Sequence, residues 1–132
     1  VTDNLAQFNR EIDAFARKVP DRAVTLHKKV AFEALRRLVS KTPVDTGRAR
    51  GDWQVTIGDP ATGQLDVLDV SGSLTVAAGL AALAGLPPYQ IVWISNNVDY
   101  IERLEHGHSK QAPEGMLAVT VEELRAMFRE AA

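Results

Sequence analysis

The sequence predicts an α+β domain: a long kinked N-terminal helix, a small mainly antiparallel sheet, and a short helix and a C-terminal helix packed on it. Three observations carry this. Apolar residues recur at helical spacing over the first forty positions, apolar/polar alternation begins abruptly at Trp53, and helical spacing returns after Pro113. The 132 residues suffice for one domain over 1–132, divided into the long helix (1–40) and the sheet with its helices (41–132).

Leu5, Phe8, Ile12, Phe15 and Val19 form one apolar stripe, with Thr2 or Asp3 as its cap. Pro20 removes a backbone donor and disfavours helix at Val19, yet the stripe resumes at Ala23, Leu26, Val30, Ala34 and Leu38. A kink, or two helices nearly in line, accounts for this over roughly 55 Å. That length exceeds what so small a domain needs, so part of the helix is expected to lie against something outside its own core.

Lys41-Thr42-Pro43 ends the helix and Asp45-Thr46-Gly47 is turn chemistry. Trp53, Val55 and Ile57 alternate with Asp52, Gln54 and Thr56, which predicts a half-buried strand. Leu65–Val70 is a weaker strand candidate, and the Ala/Gly-rich stretch from Ser73 to Leu86 reads as a short helix whose small residues permit close approach. Tyr89–Ser95 is the clearest strand, apolar at consecutive positions and therefore expected to be covered on both faces. Asp99 and Glu102 have the spacing of a capping box, Gly107 is placed to end the short helix, and a last helix opens near Pro113 with Leu117, Val121, Leu124 and Phe128 on one face.

Hydrophobic (45%) and charged (24%) shares are those of a soluble globular protein. Without cysteine there is neither a disulfide framework nor a thiolate metal site. The opening does not read as a signal peptide, the longest apolar run, Val76 to Leu86, is too short for a bilayer, and no membrane partner is expected. The net charge of −2 conceals an asymmetry: residues 1–52 hold 11 Lys/Arg against 7 Asp/Glu, residues 53–132 hold 4 against 10. Opposite charge in the two parts suits head-to-tail packing of copies, although solvated helix faces of different sign give the same count.

Several short motifs carry known chemistry elsewhere. Asp45-Thr46-Gly47 matches the aspartic-protease tripeptide, but Pro43 before it, Arg48 and Arg50 after it and the long helix upstream fit a turn instead. Arg50-Gly51-Asp52 is the integrin tripeptide, and nothing else suggests a secreted ligand. His106 and His108, with Glu102 and Glu105 nearby, lack a third histidine and read as solvated loop residues. Arg36, Arg37, Lys41, Arg48 and Arg50 form a basic cluster with no helix-turn-helix or aromatic platform, and the pI of about 5.9 is wrong for a dedicated nucleic-acid binder. Those charges are better used against acidic loops of a neighbouring subunit. Trp53 and Trp93 read as core. No phosphate-binding glycine loop, nucleophile elbow or Cys/His dyad is present, so no catalytic residue, metal ligand or cofactor is assigned.

Taken in order, Thr42-Pro43-Val44-Asp45-Thr46-Gly47-Arg48-Ala49-Arg50, Trp53, Ile94-Ser95-Asn96-Asn97-Val98-Asp99-Tyr100 and the string from Leu104 to Met116 resemble the tail-completion (neck, or head–tail joining) proteins of long-tailed bacteriophages, the siphophages, in their putative tail-component type. The resemblance covers about residues 25–130, and the Ala/Gly-rich 73–86 departs from the family pattern. It implies a virion structural protein, not an enzyme, made in the bacterial host cytoplasm. Such a protein forms an oligomeric ring at the top of the tail, by analogy a homo-hexamer. Its neighbours are the tail terminator or tail tube and the head connector, and phage DNA passes through without sequence-specific binding. The alternatives are another connector component (adaptor, stopper or tail terminator) and, from a different class, the protease. The assembly residues expected are Asp45, Thr46, Gly47, Arg48 and Arg50 in the first loop, and Asn97, Tyr100, Glu105, Gly107, Ser109 and Lys110 in the second. Asp45 and Gly47 would fix the turn, Arg48 and Arg50 would pair with acidic groups such as Glu105 or a neighbour's, and Tyr100 and Leu104 would anchor the short helix.

Overall fold

A computed structural model describes residues 2–131, with backbone only for 2–4, 12–20 and 130–131. The fold is α+β: helices around a two-stranded antiparallel sheet. Helix α1 (Thr2–Lys41) runs about 60 Å at 1.5 Å per residue. Its expected kink at Pro20, its cap and the stripe residues Ile12, Phe15 and Val19 lie outside the residues whose side chains are described. Leu5 and Phe8, on the same stripe, are exposed.

Among the described residues of α1, those that enter the core belong to its last third. Its buried line is Ala31, Leu35, Leu38 and Val39, one position on from the expected Val30 and Ala34, and Leu26 is exposed. Helix α3 (Ser73–Ala84) lies antiparallel along it, with Lys28 Nζ donating to the Ala84 carbonyl at one end and Gly72 against Val39 at the other. Gly79 makes the close approach possible, since a Cβ there would collide with Leu35. The small residues of 73–86 therefore serve packing.

Strand β1 (Gln54–Ile57) pairs with β2 (Val92–Ser95), Val55 opposite Ile94 and Thr56 opposite Trp93. Val55 and Ile94 pack on the cluster of Leu35, Leu38, Val39, Trp53, Ala112 and Met116. Alternation then turns Trp93 to the other face, where it is 39% exposed and its Nε1 donates to the Gly58 carbonyl. The expectations of a doubly covered strand and a core Trp93 are corrected: only one face meets the helices, and the indole has a polar partner at the rim. Trp53 is buried, its Nε1 donating to Thr42 Oγ1 at 2.7 Å.

Leu65–Val70 is not a strand. It is a loop laid over the short helix α2 (Arg48–Gly51), pinned by Leu65 N–H to Asp52 and Asp69 N–H to the Gly47 carbonyl, with Asp66 at φ 56°. Helix α4 (Ile101–Glu105) begins at Tyr100 without a capping box, because Asp99 instead accepts from Gln64 Nε2. Gly107, at φ 83°, follows the end of α4 as expected. Helix α5 (Leu117–Ala131) buries Thr120, next to Met116, against the body while Leu117 faces solvent. Glu123 ties it to α1 through Arg37 at 2.7 Å and Lys41 at 2.6 Å.

Candidate functional site

The first loop is built on the end of α1. Thr42 closes that helix by donating its hydroxyl to the Leu38 carbonyl, and the next residues are gripped from the second loop: Gln111 accepts from Val44 N–H at 2.9 Å and donates to its carbonyl at 3.1 Å. Gly47 then turns the chain at φ 86°, where a Cβ would meet the Asp69 carbonyl carbon at 2.7 Å. Its own carbonyl accepts from both Gly51 and Asp69. Only glycine fits such a position. Thr46 Oγ1 accepts weakly from Arg48 N–H. Asp45 is exposed, and among the described residues nothing donates to its carboxylate, so Gly47 fixes this turn and Asp45 does not.

Both arginines are engaged within the chain. Arg48 meets Gln64 and, at 3.4 Å, Asp66. Arg50 donates to three backbone carbonyls: Val70 at 2.8 Å, Thr42 at 2.9 Å and Ser40 at 3.2 Å. Pairing with Glu105 is corrected. Glu105 accepts from the N–H groups of Met116, Leu117 and Ala118 and caps the start of α5. Burial pushes its carboxyl up, but the three donors outweigh it and its pKa is lowered. The rest of the basic cluster is also paired within the chain, Arg36 to Glu33 on the exposed face of α1, Arg37 to Glu33 and Glu123, Lys41 to Glu123.

The two loops meet. Residues Pro43 to Ala49 face Tyr100, Leu104, Ser109 and Gln111 across an open cleft of about 220 Å³. Six expected residues line it: Asp45, Thr46, Gly47, Arg48, Tyr100 and Ser109. The others do not. Arg50 points to the end of α1, and Asn97 donates its amide to the Ala61 and Gly63 carbonyls. Gly107 sits so close to the Pro113 carbonyl that no Cβ fits, and Lys110 is exposed and does not line the cleft. Leu104 packs on the core and so anchors α4, as expected.

Three residues that organise the site were missed. Asp52, fully buried, joins the 65–70 loop to the second motif by accepting from Leu65 N–H at 2.8 Å and Asn97 N–H at 2.7 Å. Asp69, also buried, caps α3 from three residues before Gly72, accepting from Gly72 N–H, Thr75 N–H and Thr75 Oγ1. Burial raises its pKa, the Thr75 hydroxyl and the backbone donors lower it, and the net shift is downward. Gln111 is the clamp on Val44. An acidic residue inside a tripeptide or a weak strand pattern gives no local sign of such long-range partners.

Among the described residues no three of His, Cys, Asp and Glu gather into a metal-holding group, and no helix is long and apolar enough to cross a membrane. Comparison with protein-family models, with curated proteins and with solved structures finds no match for this chain.

Proposed function

We propose that this chain is a virion structural protein of a long-tailed bacteriophage, a tail-completion component that forms a ring, by analogy of six copies, joining the top of the tail to the head connector. The observation that carries the reading is the meeting of the two resembling loops, more than fifty residues apart in sequence, around one cleft. A shared docking surface accounts for both strings at once. The reach of α1 supports it: residues 5–11 are all exposed, Leu5 and Phe8 included, and among the described residues of the helix the first buried one is Ala31. A bend near Pro20 would let that arm follow a neighbour's surface. Asp45 stands exposed on a turn held by others, which fits an assembly role better than acid–base chemistry. The ring's partners in this reading are further copies, the tail terminator or tail tube and the head connector. DNA passes through the ring without sequence readout.

The test is electron microscopy of a phage lysate lacking this gene. Full heads beside detached tails, restored by the gene in trans, are the expected result. Complete, joined but non-infectious particles would remove the neck assignment.

A further inference from the structure

Helix α1 runs well past the body of the protein. Among the described residues, its first hydrogen bond to another element is made by Lys28, to the Ala84 carbonyl, and none before Ala31 is buried. Leu5 is 61% and Phe8 58% exposed on this arm. A helix in a protein draws most of its stability from covering its apolar face, and here that face is open.

The open face is written in heptads. Leu5, Phe8, Ile12, Phe15 and Val19 fall at alternating steps of three and four, the a and d positions of a seven-residue repeat, and Leu26 falls on a again. Pro20 falls on the outer side, at b. A seam repeating every 3.5 residues stays turned toward one neighbour only if that neighbour is a helix that supercoils with it. Glu11, Lys18 and Thr25 flank the seam on one side, Asn9, Ala16 and Ala23 on the other.

We infer that α1 of one copy pairs antiparallel with α1 of a second copy over residues 2–25, facing residues having numbers that sum to 27. Three properties of the chain select this partner and this register. The first is volume: each phenylalanine position faces a smaller aliphatic one, Phe8 the partner's Val19 and Phe15 the partner's Ile12, whereas a parallel pair would set each phenylalanine against itself. The second is charge. Glu11 and the partner's Lys18 flank the same layer, twice by symmetry, and Glu11 is held within its own chain only by Gln7 at 3.4 Å among the described residues. In a parallel pair they would meet Ala16 and Ala23 instead. The third is length: residue 2 comes level with the partner's residue 25, just short of the body that begins at Lys28. A register one heptad shorter sets Glu11 against Glu11, and one heptad longer drives the N-terminus into the body. The end layer places Leu5 beside the partner's Arg22, whose methylenes cover it while the guanidinium reaches water. A seam that matches itself in volume, charge and length at one register calls for a second copy. This goes beyond the proposed neck role and stands without it, since an isologous pair closes at two copies.

The absence of cysteine makes the test direct. Leu5→Cys and Arg22→Cys, both at the end of the seam, are made singly in the full chain and mixed near millimolar concentration under mild oxidation. A disulfide needs Cα atoms within about 7 Å, and residues 5 and 22 of one helix lie about 25 Å apart, so a 5–22 bond forms only between copies. The expected result is a mixed dimer from the two single variants and a closed, doubly linked dimer from the double variant. Without cross-linking, sedimentation velocity should show a dimer that Phe8→Ser abolishes, that Glu11→Lys weakens several-fold, and that Glu11→Lys with Lys18→Glu restores. Circular dichroism melting of each variant separates a lost contact from a lost fold. Self-linking of Leu5→Cys, which a parallel pair would give, overturns the inference. So does a monomer at every concentration, or a double charge swap no better than Glu11→Lys alone.

Discussion

Arg50 holds the carbonyls of Ser40, Thr42 and Val70, so one guanidinium ties the end of α1 to the loop that crosses α2. A charged group in that position belongs to the fold, because removing it leaves three carbonyls short of a donor in a half-buried corner. Arg50→Ala should lower unfolding free energy by about 2–3 kcal/mol in urea titration, in line with hydrogen bonds to charged groups. Asp45, two residues before the turn glycine, should behave oppositely. With no donor at its carboxylate, Asp45→Asn should change stability by less than about 0.5 kcal/mol in the same titration. A large loss at Asp45 would mean that its carboxylate holds the turn. Both residues lie within one nine-residue motif, and only their partners separate a fold element from an exposed one.

Helix α5 starts without a capping residue of its own, and Glu105 from the end of α4 supplies the missing acceptor to three N–H groups. Gly107 and Gly115 make this reach possible, since any Cβ at either would strike the opposing backbone. The second loop is thus a brace between α4 and α5, and Gln111 extends it to the first loop. Glu105→Gln keeps the shape but weakens the cap, and should cost about 1 kcal/mol. Amide exchange of Met116, Leu117 and Ala118 checks it: these three should exchange faster than the rest of α5. Uniform change along α5 would place the effect elsewhere.

At the scale of the whole fold, four carboxyls among the described residues sit below their ordinary values: Glu33 and Glu123 first through the hydrogen bonds of Arg36 and Lys41, Glu105 and Asp69 because their donors together outweigh burial. A carboxyl with a lowered folded pKa binds its proton more readily unfolded, so stability is full above the unfolded value and is lost as pH falls through the folded one. Those unfolded values are 4.5 for Glu and 3.8 for Asp. The melting temperature should therefore be nearly flat from pH 7 to about 5 and fall steadily below pH 4.5. In the Glu105→Gln, Asp69→Asn double variant the fall should be shallower. An unchanged slope would remove these two groups as acid-sensitive ties.

The sequence by itself determined the α+β class, the long first helix, the β1 strand, the helical 73–86 segment and the glycine turns at Gly47 and Gly107. Each of these is a local property, since periodicity and positive φ are written in neighbouring residues. It also picked out two loops, without saying that they meet. Only the tertiary structure decided the partners of the charges and the faces of the apolar residues. Asp69 looked like an interruption of a strand because its targets, the N–H groups of α3, come later in the chain. Trp93 looked like core because alternation gives two faces without telling which one the helices cover. Arg50 was expected against an acidic group, Glu105 or a neighbour's, yet it and Glu105 each found backbone groups nearer at hand. A charge or an indole is satisfied by whatever the fold brings within hydrogen-bond reach, and that is a long-range property no window of sequence contains.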